Sequence, residues 1–240
     1  MRRRFFVDEV RNGKAQIEGE EARHLSRVLR VEAGQRFEIS DNRNVYLAEI
    51  ESARTESVIF RTLAKLPPAV PAARFELYAS LIKFDRFEWI VEKATELGVT
   101  EIVPIEATRT ERGLEKAAAK RLERWRRIAL EASQQSRRAH LPEIAEPIPL
   151  TDAMTRSAAY RYVLDENQGA APLFQALPAV RSSQDTVAIL TGPEGGWTDE
   201  EHGCFGAAGW TPVSMGPLIL RAETAVVAAL AVISQAWLLN

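Results

Sequence analysis

The pattern of apolar and polar positions changes character near residue 70. Before this point, short segments alternate apolar with polar positions or are rich in β-branched and aromatic residues, and turn signals such as RNGK and SDNRN separate them. These segments are RFFV, AQIE, RFEIS, VYLAEIES and SVIFRTL. The stretch at 19–30 differs, because its apolar residues fall at helical spacing: Ala22, Leu25, Val28 and Leu29. The pattern predicts a small antiparallel β-barrel interrupted by one helix.

A proline-rich stretch, KLPPAVPAA at 65–73, separates this region from the rest of the chain. Proline continues neither a helix nor a central strand. We therefore place a domain boundary here and predict two domains, at 1–70 and 71–240.

Beyond the boundary, strand patterns alternate with longer helical patterns. Strands are predicted at 75–82, 101–107, 159–165, 186–192 and 211–216. Helices are predicted at 84–99, where Gly98 is the expected stop, and through the basic segment that ends at 138. Alternation at this spacing is typical of an α/β fold, in which helices cover both faces of a parallel sheet.

Composition narrows the class of protein. A hydrophobic content of 46% and a charged content of 27% are ordinary for a globular protein and argue against disorder. The longest apolar run, AVVAALAVI at 225–233, is too short to span a bilayer, and acidic residues come too early in MRRRFFVDEV for a signal peptide. The single cysteine, Cys204, has no internal partner, as is common in a reducing compartment. We expect a cytoplasmic protein.

Basic charge is local although the formal net charge is only -2. One cluster combines the amino-terminal arginines with RHLSRVLR at 23–30, and the other is KRLERWRRIALEASQQSRR at 120–138. Local patches of this kind can neutralise the phosphates of a nucleic acid. Solvated helix faces explain either cluster equally well.

Two glycine-rich loops follow predicted strands: LTGPEGGWTDEE at 190–201 and MGPLILRAETA at 215–225. Seven of the 13 glycines fall between 192 and 216, which favours close approach of the backbone to a ligand. Ligands of open α/β sheets bind where loops leave the carboxyl ends of the strands. The alternative is an ordinary strand-to-helix turn, since Thr198 and Glu201 have the spacing of a helix capping box.

Other chemistries lack their motifs. The chain has no G-x-G-x-x-G after an early strand, no G-x-x-x-x-G-K-[ST] and no G-x-S-x-G. Its three histidines, His24, His140 and His202, do not have metal-ligand spacing, and Cys204 has no cysteine partner. We expect neither a metal site nor hydrolysis by a catalytic triad.

Six motifs resemble, in order, the RsmE family of ribosomal RNA small-subunit methyltransferases, in the SPOUT superfamily. They are RRFFV, HLSRVLR with Gly34, EKATELGV, EASQQSRR, LTGPEGGWTDEE and MGPLILRAETA, and they cover essentially the whole chain. The resemblance implies an amino-terminal PUA-like RNA-binding barrel and a carboxyl-terminal α/β domain with a deep trefoil knot. It also implies a homodimer, S-adenosylmethionine (SAM) held in the knot, and methylation of N3 of a uridine near the decoding centre. Spacing alone gives no indication of a knot.

The resemblance also implies where the cofactor binds and which residues carry the chemistry. The expected cofactor-binding residues are Leu164, Asp165, Thr191, Gly192, Gly195, Gly196, Met215, Gly216, Leu218, Ile219 and Leu220. Core packing is the alternative for the three residues at 218–220. Arg221 is the first candidate for stabilising oxyanion character on the uracil, and Glu194 and Glu223 are candidates for accepting its proton or holding Arg221. Glu223 is also favoured by the dipole of a helix start, whatever its function.

Arginines are the expected RNA-binding residues. They are Arg3, Arg4, Arg23, Arg27 and Arg30, with Arg137 and Arg138 expected near the α/β domain. The helix at 222–239 is apolar over more than one face, so we expect it to be partly core and partly dimer interface. Two departures from the family pattern are SDNRNVY at 40–46, where an Asp-Gly turn is usual, and the Met215–Pro217 pair in the second glycine loop.

Two other functions stay open at this level. One is methylation of transfer RNA or of a ribose 2'-hydroxyl by the same superfamily. The other is a non-catalytic RNA-binding assembly factor whose glycine loops are structural. The sequence does not distinguish naked RNA from an assembled ribosomal subunit as the substrate.

Overall fold

The computed structural model describes residues 4–68, 71–167 and 169–239. It divides the chain into two compact units, Met1–Ala69 with Leu130–Leu141, and Val70–Ala129 with Pro142–Asn240. No sequence pattern indicates that Leu130–Leu141 groups with the first unit, because it contains the end of a helix that begins in the second unit and the five residues that follow that helix.

The first unit contains a five-stranded curled sheet in the order β1-β3-β4-β5-β2. Its strands are β1 (Arg4–Phe6), β2 (Lys14–Glu18), β3 (Arg36–Ser40), β4 (Val45–Arg54) and β5 (Ser57–Lys65). Three of the pairings are antiparallel, as predicted, whereas β1 pairs with β3 in parallel. Register shifts within the β4–β5 pair mark bulges, which bend and twist a sheet. The fully buried side chains of Phe5, Ile39 and Phe60 form its core.

The helix expected at 19–30 is present in two parts. Helix α1 (Gly19–Arg23) continues into a π-helical turn at His24–Val28, where the N–H of Leu29 donates to the carbonyl of His24. Ala22 and Leu25 are fully buried. Val28, which α-helical spacing assigned to the same face, is 65% exposed. A π turn contains an extra residue, so it rotates the following side chain away from that face.

The second unit contains an eight-stranded sheet in the order β11-β13-β10-β12-β6-β7-β8, with β9 also paired to β7. Its strands are β6 (Arg74–Ser80), β7 (Glu101–Glu106), β8 (Glu143–Ile144), β9 (Ile148–Pro149), β10 (Tyr160–Leu164), β11 (Ala171–Pro172), β12 (Thr186–Thr191) and β13 (Thr211–Ser214). Every pairing is parallel, which confirms the predicted sheet type. The strands that were not predicted are two residues long, too short to leave a periodic pattern.

Helices cover both faces of this sheet. They are α2 (Phe84–Glu96), α3 (Leu114–Ala118), α4 (Leu122–Ser136), α5 (Leu150–Met154), α6 (Leu173–Ala176), α7 (Asp199–Ala207) and α8 (Ala222–Leu238), and a 3-10 turn joins α3 to α4. Side chains alternate across a strand. In β6, Leu77 belongs to the core cluster that includes Phe87 of α2, whereas Tyr78 belongs to the cluster that includes Phe205 of α7.

Two predicted helix ends have clear physical causes. Helix α2 stops where Gly98 adopts φ +94°, a left-handed conformation that favours glycine. Helix α8 buries Val226, Leu230 and Ile233 against the sheet and leaves Leu239, just past its end, 79% exposed. The core role predicted for α8 is therefore confirmed, and its role in a dimer stays a prediction. Within the described part of the chain, no helix combines the length and apolarity that crossing a membrane requires.

Candidate active site

Loops from three adjacent strands meet at one edge of the second unit's sheet. Strands β13, β10 and β12 are neighbours and parallel, so their carboxyl ends lie together. The loops that follow them line a pocket of about 320 Å³, which is within the size range of small-molecule sites. The lining residues are Arg86, Leu164, Asp165, Glu166, Thr191, Gly192, Pro193, Glu194, Gly196, Trp197, His202, Ser214, Met215, Gly216, Leu218, Ile219, Leu220, Arg221, Ala222 and Ala225.

Two glycines of the first loop allow close packing. A Cβ added at Gly192 would lie 3.0 Å from the Trp197 ring, so only glycine lets the indole pack against this backbone. Gly196 adopts φ +69°, and a Cβ there would lie 3.0 Å from a carboxylate oxygen of Glu166. The indole N–H of Trp197 donates to the carbonyl of Leu164 at 3.0 Å. This bond ties the loop after β12 to the end of β10.

Arg109, in the loop after β7, holds the same glycine loop from another direction. Its Nη1 donates to the carbonyls of Gly195 at 2.9 Å and Trp197 at 3.0 Å. A Cβ added at Gly195 would lie 3.2 Å from the Cβ of Arg109, so glycine leaves room for this contact. Arg109 does not line the pocket, so it acts on the shape of the loop.

The acidic end of the loop forms the capping box that the sequence indicated. The backbone N–H of Glu201 donates to the hydroxyl of Thr198 at 3.2 Å, and the backbone N–H of Thr198 donates to Glu201 at 2.8 Å. The second carboxylate oxygen of Glu201 accepts the backbone N–H of Thr108. Burial raises the pKa of Glu201, but these hydrogen bonds outweigh it and hold the pKa below its ordinary value. The capping box and the pocket therefore coexist.

Charged side chains from separate elements meet beside the pocket. The guanidinium of Arg86, on α2, donates to the carboxylate of Glu194. The Nε of Arg86 lies 4.0 Å from Oε1 of Glu223, in the first turn of α8. The exposed Arg221 side chain has no carboxylate within ion-pair distance among the residues that the structure describes. Both glutamates thus face Arg86 instead of Arg221.

A histidine and an aspartate also contribute to the pocket wall. The Nδ1 of His202 lies 3.3 Å from a carboxylate oxygen of Asp165, whose side chain is only 6% exposed. The other oxygen of Asp165 accepts the backbone N–H of Asn167. These contacts fix the loop after β10 against α7. Over residues 4–68, 71–167 and 169–239, no cluster of His, Cys, Asp or Glu could hold a metal ion.

The pocket gathers most residues that the family resemblance singled out. All the expected cofactor-binding residues line it except Gly195, which contacts Arg109 instead. Core packing is ruled out for Leu218 and Ile219, which are 76% and 80% exposed. Arg221 and Glu194 line the pocket, whereas Glu223 does not line it and lies 4.0 Å from the Nε of Arg86.

Three residues that sequence reasoning missed shape the site: Arg86, Trp197 and Arg109. Each contacts residues far away in the chain, and no local spacing signals such a contact. The proximity of Trp197 to the glycines of its own motif was the one available sign.

Several arginines that were predicted to bind RNA are already occupied by carboxylates. Arg4 donates twice to Glu38, and Arg137 contacts the other oxygen of Glu38 at 2.5 Å. Burial raises the pKa of Glu38, but the two arginines outweigh it and hold the pKa low. Arg137 and Arg138 group with the first unit, whereas the prediction placed them near the α/β domain. Arg3 lies outside the described residues.

The remaining predicted arginines differ in their availability. Arg23 makes a bidentate pair with Glu56, both bonds being 2.8 Å, and burial lowers the pKa of Arg138 to about 10. Arg27 and Arg30 are exposed and have no carboxylate within 4.0 Å in the described part of the chain. They lie within and just after the π-helical turn. Among the described arginines of the predicted set, these two are exposed and lack a carboxylate partner.

Comparisons with known proteins match both units. A family model described as RNA methyltransferase domain matches residues 70–234, and one described as RNA methyltransferase PUA domain matches residues 17–63. Ribosomal RNA small subunit methyltransferase E of Synechocystis sp. is 35% identical, over 88% of this chain and 69% of that protein. The protein of the same name from Aquifex aeolicus is 31% identical, over 95% of this chain and 97% of that protein.

Solved structures give the same result. The crystal structure of a ribosomal RNA small subunit methyltransferase E from Neisseria gonorrhoeae bound to S-adenosyl methionine has a TM-score of 0.87 and 27% identity. The superposition covers 99% of this chain and 98% of that chain.

Replacing Gly192 by alanine tests the packing of the loop. The added methyl group would press on the Trp197 ring, and we expect G192A to lower the free energy of unfolding by about 1–3 kcal/mol, as overpacking does. G203A is the control, because a Cβ there meets nothing and alanine favours a helix over glycine by about 1 kcal/mol. Urea denaturation measures both. A G192A protein as stable as G203A would contradict the packing argument.

Proposed function

We propose, because the chain belongs to the ribosomal RNA small subunit methyltransferase E family, that it transfers a methyl group from SAM to N3 of a uridine in small-subunit ribosomal RNA. Family membership supports SAM-dependent methylation of ribosomal RNA. The uridine near the decoding centre and its N3 atom are the finer part of the proposal. The observation that carries it is the meeting of both glycine loops in one pocket.

The pocket fits this cofactor because its lining combines backbone groups and apolar side chains with charged ones. Gly192 and Gly196 bring the loop backbone into the pocket lining, where its carbonyl groups would accept hydrogen bonds from the adenine edge or the ribose; the N–H of Gly196 already donates to the carbonyl of Pro193. Leu218 and Ile219 project exposed apolar side chains that would cover the adenine faces. Bound SAM supplies an electrophilic methyl group on a sulfonium.

Positioning supplies most of the acceleration that an in-line methyl transfer requires. The uridine N3 must also lose its proton, and the resulting negative charge spreads onto the adjacent carbonyl oxygens. Arg221 suits the stabilisation of that charge, because it lines the pocket and its guanidinium has no carboxylate partner among the described residues. Glu194 and Glu223 stay the candidates for accepting the proton.

Of these two glutamates, Glu223 has the less committed carboxylate. Its Oε2 is buried and has no hydrogen-bond partner among the residues described, whereas Glu194 accepts a bond from Arg86. Glu223 does not line the pocket, however, and its side chain is only 14% exposed, so this oxygen is closed to a molecule bound there. Glu194, which lines the pocket, is therefore the better-placed candidate for the proton acceptor, and its carboxylate must exchange its bond with Arg86 to act.

RNA binding is the proposed role of the first unit, which matches the family's PUA domain. The accessible Arg27 and Arg30 suit contacts with phosphates. The groove lined by Asp8, Glu18 and Glu21 suits them poorly, since its lining contains more acidic than basic side chains.

The remaining implications of the family stay predictions. They are the trefoil knot, the homodimer, the domain limits at 70 and 71, and a cytoplasmic location. The exposed Leu218 and Ile219, together with Leu239 beyond α8, supply apolar area that a second copy could cover.

Product analysis tests the proposed reaction. The purified protein is incubated with methyl-labelled SAM and undermodified small ribosomal subunits, and the digested RNA is analysed by mass spectrometry. We expect labelled 3-methyluridine. A label on a ribose 2'-hydroxyl, or on transfer RNA alone, would instead indicate the activity of another member of the superfamily. SAM binding without transfer to any RNA would reject the substrate, and no binding at all would leave the assembly-factor function.

Arg221→Ala tests the proposed oxyanion role. A residue that acts in the transition state lowers kcat with little effect on cofactor affinity. We therefore expect R221A to lower kcat by about 10²–10³-fold and to change the calorimetric Kd for SAM only slightly. Arg112→Ala, in the loop before α3, is the control for loss of an arginine away from the pocket. Equal losses in kcat and affinity would instead assign Arg221 to building the pocket.

Arg27→Ala and Arg30→Ala test the RNA surface. Each phosphate contact adds about 0.7–0.9 to the slope of log affinity against log salt. We expect each variant to weaken RNA binding and to reduce the magnitude of this slope by about 0.7–0.9, the contribution of one phosphate contact. Arg11→Ala removes an exposed arginine that is already paired with Glu9, so it should leave the slope unchanged. Identical slopes for all variants would remove Arg27 and Arg30 from the interface.

A further inference from the structure

We propose that Arg86 is a positioning residue that holds the two walls of the pocket at their working separation. The inference rests on the proposed function, because it assigns SAM as the occupant whose binding depends on that separation. It concerns a residue on α2, outside both glycine loops.

The base of Arg86 is fixed by its helix. Arg86 lies in the first turn of α2, where its backbone N–H donates to the carbonyl of Lys83 at 3.0 Å. The next residue, Phe87, and Ile90 one turn later are fully buried in the core. An arginine on so firmly packed a turn can hold a flexible element in place.

The far end of Arg86 contacts both walls. Glu194 belongs to the loop after β12, and Glu223 belongs to the first turn of α8, which follows the second glycine loop. Arg86 donates to Glu194 and lies 4.0 Å from Glu223, while its own side chain is 32% exposed. One guanidinium therefore attracts two carboxylates that are 29 positions apart in the chain.

Charge balance explains why the loss of Arg86 would move the walls. One cation faces two carboxylates, and without it the carboxylates of Glu194 and Glu223 would repel each other. The Glu223 side chain is only 14% exposed, so water would screen the repulsion poorly. The exposed glycine loop would move away, because α8 is anchored in the core.

Arg109 gives a built-in comparison. It holds the same loop by the carbonyls of Gly195 and Trp197, but it does not line the pocket. Arg86 differs because it lines the pocket and reaches the second wall. If loop order alone decided affinity, the loss of either arginine would have the same effect.

The experiment combines calorimetry of SAM binding with amide hydrogen exchange of the unliganded full-length protein. We expect R86Q to weaken SAM affinity by about tenfold or more, with R86K recovering part of the loss because the positive charge returns. In the cycle of R86Q, E194Q and the double variant, the double variant should bind no more weakly than R86Q, because the two residues act through one contact. E88Q is the matched control, since Glu88 lies on α2 and pairs with Arg124.

Hydrogen exchange separates this inference from the proposed function. We expect faster exchange at residues 194–197 in R86Q than in the wild type, without any ligand present. If the wild type bound no SAM, the proposed function would fail. The exchange measurement would still decide whether Arg86 holds the loop, because it is made without ligand. Unchanged exchange, a SAM affinity of R86Q equal to that of E88Q, or additive losses in the R86Q and E194Q cycle would each overturn the positioning role.

Discussion

The contact between the Trp197 indole and the backbone of Gly192 is the constraint on which the pocket depends. The ring packs where any other residue at 192 would place a side chain, and its N–H reaches the carbonyl of Leu164 on the neighbouring strand. Because β10 and β12 are parallel neighbours, this one bond connects two loop origins. Arg109 and the capping box at Thr198 make further contacts, which stabilise the same backbone conformation as the indole does.

The polar groups of the site divide into those already paired and those left free. The carboxylate oxygens of Glu201 and Asp165 accept hydrogen bonds from backbone N–H groups or pair with His202, so these residues stabilise the conformation of the loops. Arg221 and the inner oxygen of Glu223 have no partner in the described part of the chain. Arg221 is exposed and lines the pocket, whereas the inner oxygen of Glu223 is buried and belongs to a residue that does not line it. Of these two groups, Arg221 is therefore the one available to a bound molecule.

Sequence patterns predicted the parts of the fold that depend on local periodicity. The parallel sheet, helix α2 and its stop at Gly98, and the capping box at Thr198 each follow from spacing within one segment. The two-residue strands and the grouping of Leu130–Leu141 with the first unit depend on contacts between distant segments. The sequence also did not predict the π turn. Its apolar residues have the spacing of an α-helix, and the extra residue of the turn shows only in the structure, where Val28 is rotated outward.

The candidate site shows the same limit in chemical terms. Residue types identified which arginines could bind phosphate, but only the structure shows that Arg4 and Arg137 share an ion pair with Glu38 while Arg27 has no carboxylate partner among the described residues. The glycine motifs located the pocket walls, yet their separation depends on charges that come from a third element. Arg86 lies 108 positions before Glu194, a distance at which no spacing rule operates. Motifs thus specify the backbone of this site, and the ion pairs that hold the backbone in place are a property of the folded chain.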